Sequence, residues 1–96
     1  MLRLLDLQKQ LILTHLGEGD TAVDFTMGNG HDTEFLSKTV GERGHVYAFD
    51  IQQQAVESTT AHLAAAGCPQ NYTLIHDSHH KVKDYVTGPI KAGMFN

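Results

Sequence analysis

The sequence is poor in the residues that mark several classes of protein. Its 96 residues include no tryptophan, two prolines and a single cysteine, Cys68. One cysteine excludes an internal disulfide. No apolar run approaches the roughly 20 residues that a membrane-spanning helix needs. The apolar N-terminus also lacks the small-residue cleavage site of a secretory signal. We therefore expect one small globular domain in the cytoplasm, with no membrane partner.

Basic residues are also few. Seven lysines and arginines stand against eleven aspartates and glutamates, and the formal net charge is −4. Strong nucleic-acid binding needs clustered basic side chains that neutralise phosphates, and here they are scattered. This segment by itself is not expected to bind nucleic acid strongly.

What the sequence does contain is a strand, a glycine loop and the start of a helix over residues 22–34. Val23 and Phe25 fit a buried strand. Gly28 and Gly30 allow a tight bend and a close approach of a ligand to the backbone. Acidic and hydroxyl residues at positions 32–34 suit the exposed N–H groups of a helix start.

Three kinds of ligand use such a loop. A phosphate-binding P-loop requires a lysine after the second glycine, and none follows Gly30. A dinucleotide fingerprint requires a third glycine, and Thr33 stands there. S-adenosylmethionine is cationic and carries no phosphate, so it suits the nearby acids better than a pyrophosphate does. Those acids are Asp24, Asp32 and Glu34.

A second acid supports the binding of adenosine. Residues 45–51 are typical of the next strand, which ends at Asp50, twenty residues after Gly30. A carboxylate at the tip of the second strand can accept hydrogen bonds from both ribose hydroxyls. Asp77 and Ser78 follow the third predicted strand, where they can bond the adenine amino group.

At three stretches the sequence resembles the small bacterial "putative rRNA methylase" family. They are Val-Asp-Phe-Thr-Met-Gly-Asn-Gly-His-Asp-Thr at 23–33, Gly-His-Val-Tyr-Ala-Phe-Asp-Ile-Gln at 44–52 and His-Asp-Ser-His-His at 76–80. The resemblance implies a class I S-adenosylmethionine-dependent methyltransferase that acts on RNA, either tRNA or rRNA. Its most specific form is methylation of the 5-aminomethyl group of a tRNA wobble uridine. Thr26 departs from the general class I pattern, which has a glycine there.

The resemblance also implies roles for individual residues. Asp24 either orders the loop or receives the methionine amino group, and Asp32 either caps the helix or also faces the cofactor. Ile51 and Gln52 are expected to flank the adenine, and Asn96 is the closest candidate to the transferred methyl group. No general base is identified. The predicted cofactor-binding residues are Asp24, Thr26, Met27, Gly28, Asn29, Gly30, Asp32, Asp50, Ile51, Gln52, Asp77, Ser78, His79 and Asn96.

Residues 76–80 also offer imidazole and carboxylate groups, which suit zinc. However, these groups are nearly contiguous, and alternate side chains of an extended segment point to opposite sides. We therefore expect no metal site there, and none elsewhere.

The predicted fold is α/β and Rossmann-like: the N-terminal half of a class I methyltransferase sheet, with parallel strands in the order 3-2-1-4 and flanking helices. A helix over residues 4–16 comes first. The helix after the glycine loop runs to Val40, and the next spans 53–66 with Val56, Thr59, Thr60 and Leu63 on one face. Strands follow at 72–75 and 90–95, separated by a short helix or turn over 79–86.

Class I methyltransferases usually have seven strands, and we count four. We therefore expect residues 1–96 to be the cofactor-binding half of a domain truncated at its C-terminus, which leaves its activity in isolation open. An unpaired fourth strand or the first helix is then predicted to form a homodimer. The alternatives are an NAD-binding oxidoreductase fragment and a non-catalytic binding module on the same fold.

Overall fold

The computed structural model describes residues 16–86, 88 and 90–94. Most of the predicted first helix, and Asn96, lie outside these residues. The described strands are β1 (Thr21–Asp24), β2 (His45–Asp50), β3 (Tyr72–His76) and β4 (Ala92–Met94). The helices are α1 (His31–Val40), α2 (Gln53–Ala65) and α3 (Val82–Tyr85), and a 3-10 turn spans His79–Lys81.

The four strands form one parallel sheet in the order β3-β2-β1-β4, as the sequence predicts. Because all the strands run in the same direction, their carboxyl ends lie at one edge. The order reverses between β1 and β4, and a ligand of an open α/β sheet binds beside such a switch point. Asp24 and Asp50 are the last residues of the two central strands, and both lie at this edge.

Alternate residues of the strands pack on opposite faces of the sheet. Ala22 and Val46 lie on the first face, with the buried α1 residues Leu36 and Val40. Ala48 lies on the same face and packs there with Met27 and with Ala55 of α2. Val23, Phe49 and Ile75 point to the other face, where Val82 and Val86 pack against them. The core therefore consists of two apolar layers, one on each face of the sheet, and these layers hold the strand ends in place.

Three details of the predicted elements are wrong. In α2, Thr60 is exposed and Ala55 is buried, so the face against the sheet starts one residue earlier. The Thr60 hydroxyl instead donates to the Val56 carbonyl oxygen, 2.7 Å away on the same helix. The described part of the fourth strand begins at Ala92, which leaves Ile90 outside it. Asp32 does not cap α1, because Gly30 occupies the N-cap position.

Within the part of the chain described, no helix is both long enough and apolar enough to cross a bilayer.

Candidate functional site

The glycine loop is tied to the end of β2 by backbone hydrogen bonds. The Met27 N–H donates to the Phe49 carbonyl oxygen at 2.9 Å, and the Gly30 N–H donates to the Met27 carbonyl oxygen at 2.9 Å. The Gly28 N–H donates to Oδ2 of Asp50 at 3.2 Å. The loop and the strand-end acid, separated by twenty-two residues, therefore form one unit.

Gly30 meets a steric requirement for glycine. Its φ of 92° lies in the left-handed region, and a Cβ there would lie 3.2 Å from Cα of Thr59 in α2. The Thr59 hydroxyl donates to the Gly28 carbonyl oxygen at 3.2 Å. The contact with α2 therefore holds the glycine loop in place.

Asp24 is fully buried beneath the loop. Its Oδ1 accepts from the Thr26 N–H at 3.1 Å, and its Oδ2 accepts from the Thr33 hydroxyl at 2.7 Å. Burial raises the pKa of Asp24 from 3.8 to about 6, against the lowering effect of these two hydrogen bonds. Of the two roles predicted for Asp24, the structure shows the ordering of the loop.

Asp50 has a different environment, since it borders two cavities on the surface. Its Oδ1 accepts from the Gln52 N–H at 2.9 Å while Oδ2 holds the loop. Each carboxylate oxygen can accept more than one hydrogen bond, so Asp50 keeps acceptor capacity toward a ligand.

The two cavities meet at Asp50. The first has a volume of about 290 Å³ and is lined by Phe25, Thr26, Asp50, Ile51, Asp77 and Ser78. The second has a volume of about 220 Å³ and is lined by Gly28, Asn29, Asp50, Gln52, Gln54, Ala55 and Ser58. Ile51 is 71% exposed at the first cavity, so a large apolar side chain is left free to cover a flat apolar ligand.

Asp77 also lines the first cavity. Its Oδ1 accepts from the Ser78 N–H at 2.7 Å, and its Oδ2 accepts from the Tyr85 hydroxyl at 3.1 Å. Both hydrogen bonds lower the pKa of Asp77 below its usual value, and the bond from the Ser78 N–H has the larger effect. The site therefore offers two carboxylates, from Asp50 and Asp77, to one cavity.

The structure brings eight of the predicted site residues to the cavities: Thr26, Gly28, Asn29, Asp50, Ile51, Gln52, Asp77 and Ser78. Four others line neither cavity: Asp24, Met27, Gly30 and Asp32. All four are buried, which fits a supporting role. The backbone of His79 begins the 3-10 turn beside Ser78, and Asn96 lies outside the described residues.

Sequence reasoning missed several residues that complete the site. Gln54, Ala55 and Ser58 line the second cavity from α2, and Thr59 and Thr33 hold the loop and Asp24. Their places follow from how α2 packs on the loop, which no local motif encodes. The helical spacing of Gln54 and Ser58, four residues apart, is the one signal that places them on a common face.

This fold and site define a Rossmann-like domain of the class I methyltransferase type, with a glycine loop and strand-end acids at the switch point. The family described as "Putative rRNA methylase" matches residues 46–96. The chain belongs to that family.

Two solved structures and one curated protein illustrate the similarity. A structure described as a "putative rRNA-methylase" from Clostridium thermocellum is 42% identical, with a TM-score of 0.95 over 99% of this chain and 53% of its own. A "putative methyltransferase" from Streptococcus mutans in complex with SAH is 38% identical, with a TM-score of 0.90 over 99% of this chain and 52% of its own.

The curated relative is a chloroplastic tRNA (mnm(5)s(2)U34)-methyltransferase from Arabidopsis thaliana. It is 48% identical over an alignment 54 residues long, which covers 51% of this chain and 20% of the plant protein. The chain thus spans about half the length of the two solved structures and about a fifth of the plant protein.

Proposed function

We propose that this chain binds S-adenosylmethionine at the two cavities and forms the cofactor half of an RNA methyltransferase. The proposal rests on one observation: the Gly28 N–H donates to Oδ2 of Asp50 at 3.2 Å, at the point where the two cavities meet. The Streptococcus mutans relative, solved with SAH, supports the same ligand class for this chain.

The residues present fit that cofactor. Asp50 would accept from the ribose hydroxyls, and the exposed side chain of Ile51 would pack on the adenine. Asp77 and Ser78, which also line the first cavity, would bond the adenine amino group. Gly28 and Asn29 border the second cavity, where the methionine part would lie against the loop.

The alternative of a dinucleotide is less well supported. The third glycine of a dinucleotide fingerprint is replaced by Thr33, which is buried and bonded to Asp24. Asp24, Asp32 and Asp50 are close enough for the last two to raise the pKa of Asp24 by charge repulsion. A cluster of acids favours a ligand with a sulfonium and an ammonium group over one with a pyrophosphate.

When bound, S-adenosylmethionine supplies a methyl group on an activated sulfonium leaving group. The work left to the chain is to bind the cofactor in one orientation and to present the methyl group to a nucleophile, which is catalysis by proximity. The loop fixed by Asp50, Thr59 and Asp24 supplies that rigidity.

The substrate that we propose is tRNA, at the 5-aminomethyl group of a wobble uridine. The name of the plant relative supports it. The net charge of −4 means that this chain supplies little of the basic surface that an RNA needs. The RNA would therefore be held largely by groups other than those described here.

Transfer of a radiolabelled methyl group from S-adenosylmethionine tests the proposal. With the chain joined to the RNA-binding half that the proposal requires, we expect incorporation into tRNA carrying 5-aminomethyluridine at the wobble position and none into the same tRNA with unmodified uridine. Asp50→Asn should abolish the incorporation, while Glu57→Gln, an exposed acid of α2 outside both cavities, should leave it unchanged. Equal labelling of the two tRNAs, or labelling of rRNA alone, would contradict the substrate; absence of any labelling would contradict activity in this chain.

A further inference from the structure

Three side chains with metal-ligating atoms meet where α1 packs against α2. His31 is the first residue of α1, Glu34 lies one turn later, and His62 comes from the third turn of α2. One potential ligand atom from each lies within 4.8 Å of the other two. None of the three lines either cavity, so the cluster is separate from the cofactor site.

The cluster is already partly organised. Nε2 of His62 lies 2.6 Å from Oε1 of Glu34, and the rings of His31 and His62 meet edge to face with centroids 4.6 Å apart. Lys38 donates to the other carboxylate oxygen, Oε2, at 2.8 Å. Both oxygens of the Glu34 carboxylate therefore have a partner, and the two imidazole rings are held beside it.

We propose that His31, Glu34 and His62 bind Zn²⁺. Two imidazole nitrogens and one carboxylate oxygen are a set of ligands that zinc accepts, with a fourth position left for water. Ligand atoms around tetrahedral zinc lie about 3.3 Å apart, given metal–ligand distances near 2 Å. His31 is exposed, so its ring can rotate to close the remaining separation.

A metal here would connect the two helices that hold the glycine loop. Gly30 is the N-cap of α1, directly before His31, and Thr59 of α2 donates to the Gly28 carbonyl oxygen one turn before His62. Because the three ligands come together only in the folded chain, zinc binding would favour the folded state. Zinc should therefore raise the midpoint of thermal unfolding without any cofactor present.

Calorimetric titration of the untagged, chelator-treated chain with Zn²⁺ tests the proposal. We expect one ion per chain and a higher unfolding midpoint. His31→Gln and His62→Gln should each weaken zinc binding by at least about tenfold, since even the loss of an outer partner of a ligand weakens metal sites by about that factor. His80→Gln is the matched control, because His80 is exposed and belongs to the other histidine-rich segment, residues 76–80.

The thermal unfolding midpoint of each variant, measured without metal, serves as the control for folding. The proposal is overturned if the unaltered chain binds no zinc, or if either His31→Gln or His62→Gln binds it as tightly as the unaltered chain does. Loss of binding in His80→Gln would also overturn it and would move the metal to residues 76–80. None of these results depends on whether the chain binds S-adenosylmethionine.

Discussion

Asp24 and Asp50 end neighbouring strands, and the structure gives them opposite environments. Asp50 borders both cavities, while Asp24 is fully buried and bonded to Thr26 and Thr33. The sequence places both acids at the same edge of the sheet, because each follows a run of strand residues. It does not reveal which acid faces solvent, since that depends on where the Thr33 side chain lies after the loop has bent.

The buried acid makes a prediction about pH and stability. The pKa of Asp24 is about 6 in the folded chain and 3.8 when exposed, so the folded state binds the proton more tightly. Asp24 therefore contributes stability below pH 3.8 that is lost as the pH rises through 6. The contribution should fall by about 2 kcal/mol between pH 4 and pH 7, since one pKa unit corresponds to about 1.4 kcal/mol.

Urea unfolding of the unaltered chain and of Asp24→Asn at these two pH values measures this loss. The asparagine cannot titrate, so we expect the difference in the free energy of unfolding between the two proteins to change by that amount with pH. Titrating groups that do not interact with Asp24 contribute equally to both proteins and cancel. If the difference is the same at pH 4 and pH 7, the raised pKa of Asp24 is refuted.

At the scale of elements, the described strands and helices follow from the sequence almost entirely. Alternation in the strands and the glycines at 28, 30, 41 and 67 mark where elements begin and end. The packing of one element on another does not follow. Thr60, predicted on the buried face, is exposed and Ala55 is buried, because the angle at which α2 meets the sheet is a tertiary property. The ring contact between His31 and His62, which are thirty-one residues apart, is likewise a result of tertiary packing.

The contact between α2 and the glycine loop makes a second prediction. A Cβ at Gly30 would lie 3.2 Å from the Thr59 backbone at a φ of 92°, whereas a Cβ at Gly67, with a φ of 71°, meets nothing within 4 Å. Gly67→Ala should cost about 1 kcal/mol for the left-handed conformation alone. Gly30→Ala should cost about 1–3 kcal/mol more, because α2 must move away.

Urea unfolding of the two variants measures the comparison. Equal costs at the two positions would mean that α2 does not hold the loop as closely as described. Calorimetry with S-adenosylhomocysteine adds a second readout, because weaker binding is expected in Gly30→Ala and unchanged binding in Gly67→Ala, which lies outside both cavities.

For the whole molecule, the sheet order agrees with the order predicted from the sequence, and family membership agrees with the resemblance seen in the sequence. The roles of individual residues in cofactor binding stay predictions, as does the idea that the chain is the truncated half of a domain. The formation of a homodimer also stays a prediction. Within the described residues, β4 pairs only with β1, and strand edges tend to pair with another chain.

Sedimentation velocity over a range of concentrations tests the dimer. We expect a species of twice the chain mass that dissociates on dilution. Lys91, exposed beside the start of β4, offers a probe that leaves both cavities intact. Lys91→Pro should weaken the dimer indirectly, because it removes the N–H that donates to the Thr21 carbonyl oxygen of the same chain at 2.8 Å and so loosens the attachment of β4 to β1. A monomer at every concentration would contradict the prediction.

The central claim is that Asp50 and the glycine loop bind a cofactor of the S-adenosylmethionine type. Calorimetric titration with S-adenosylhomocysteine, with NAD as the control ligand, tests it most directly. We expect binding of S-adenosylhomocysteine alone, weakened about a hundredfold or more in Asp50→Asn, since two hydrogen bonds to a charged group are lost, and unaltered in Glu57→Gln. Binding of NAD alone, or S-adenosylhomocysteine affinity that Asp50→Asn leaves unchanged, would contradict the account.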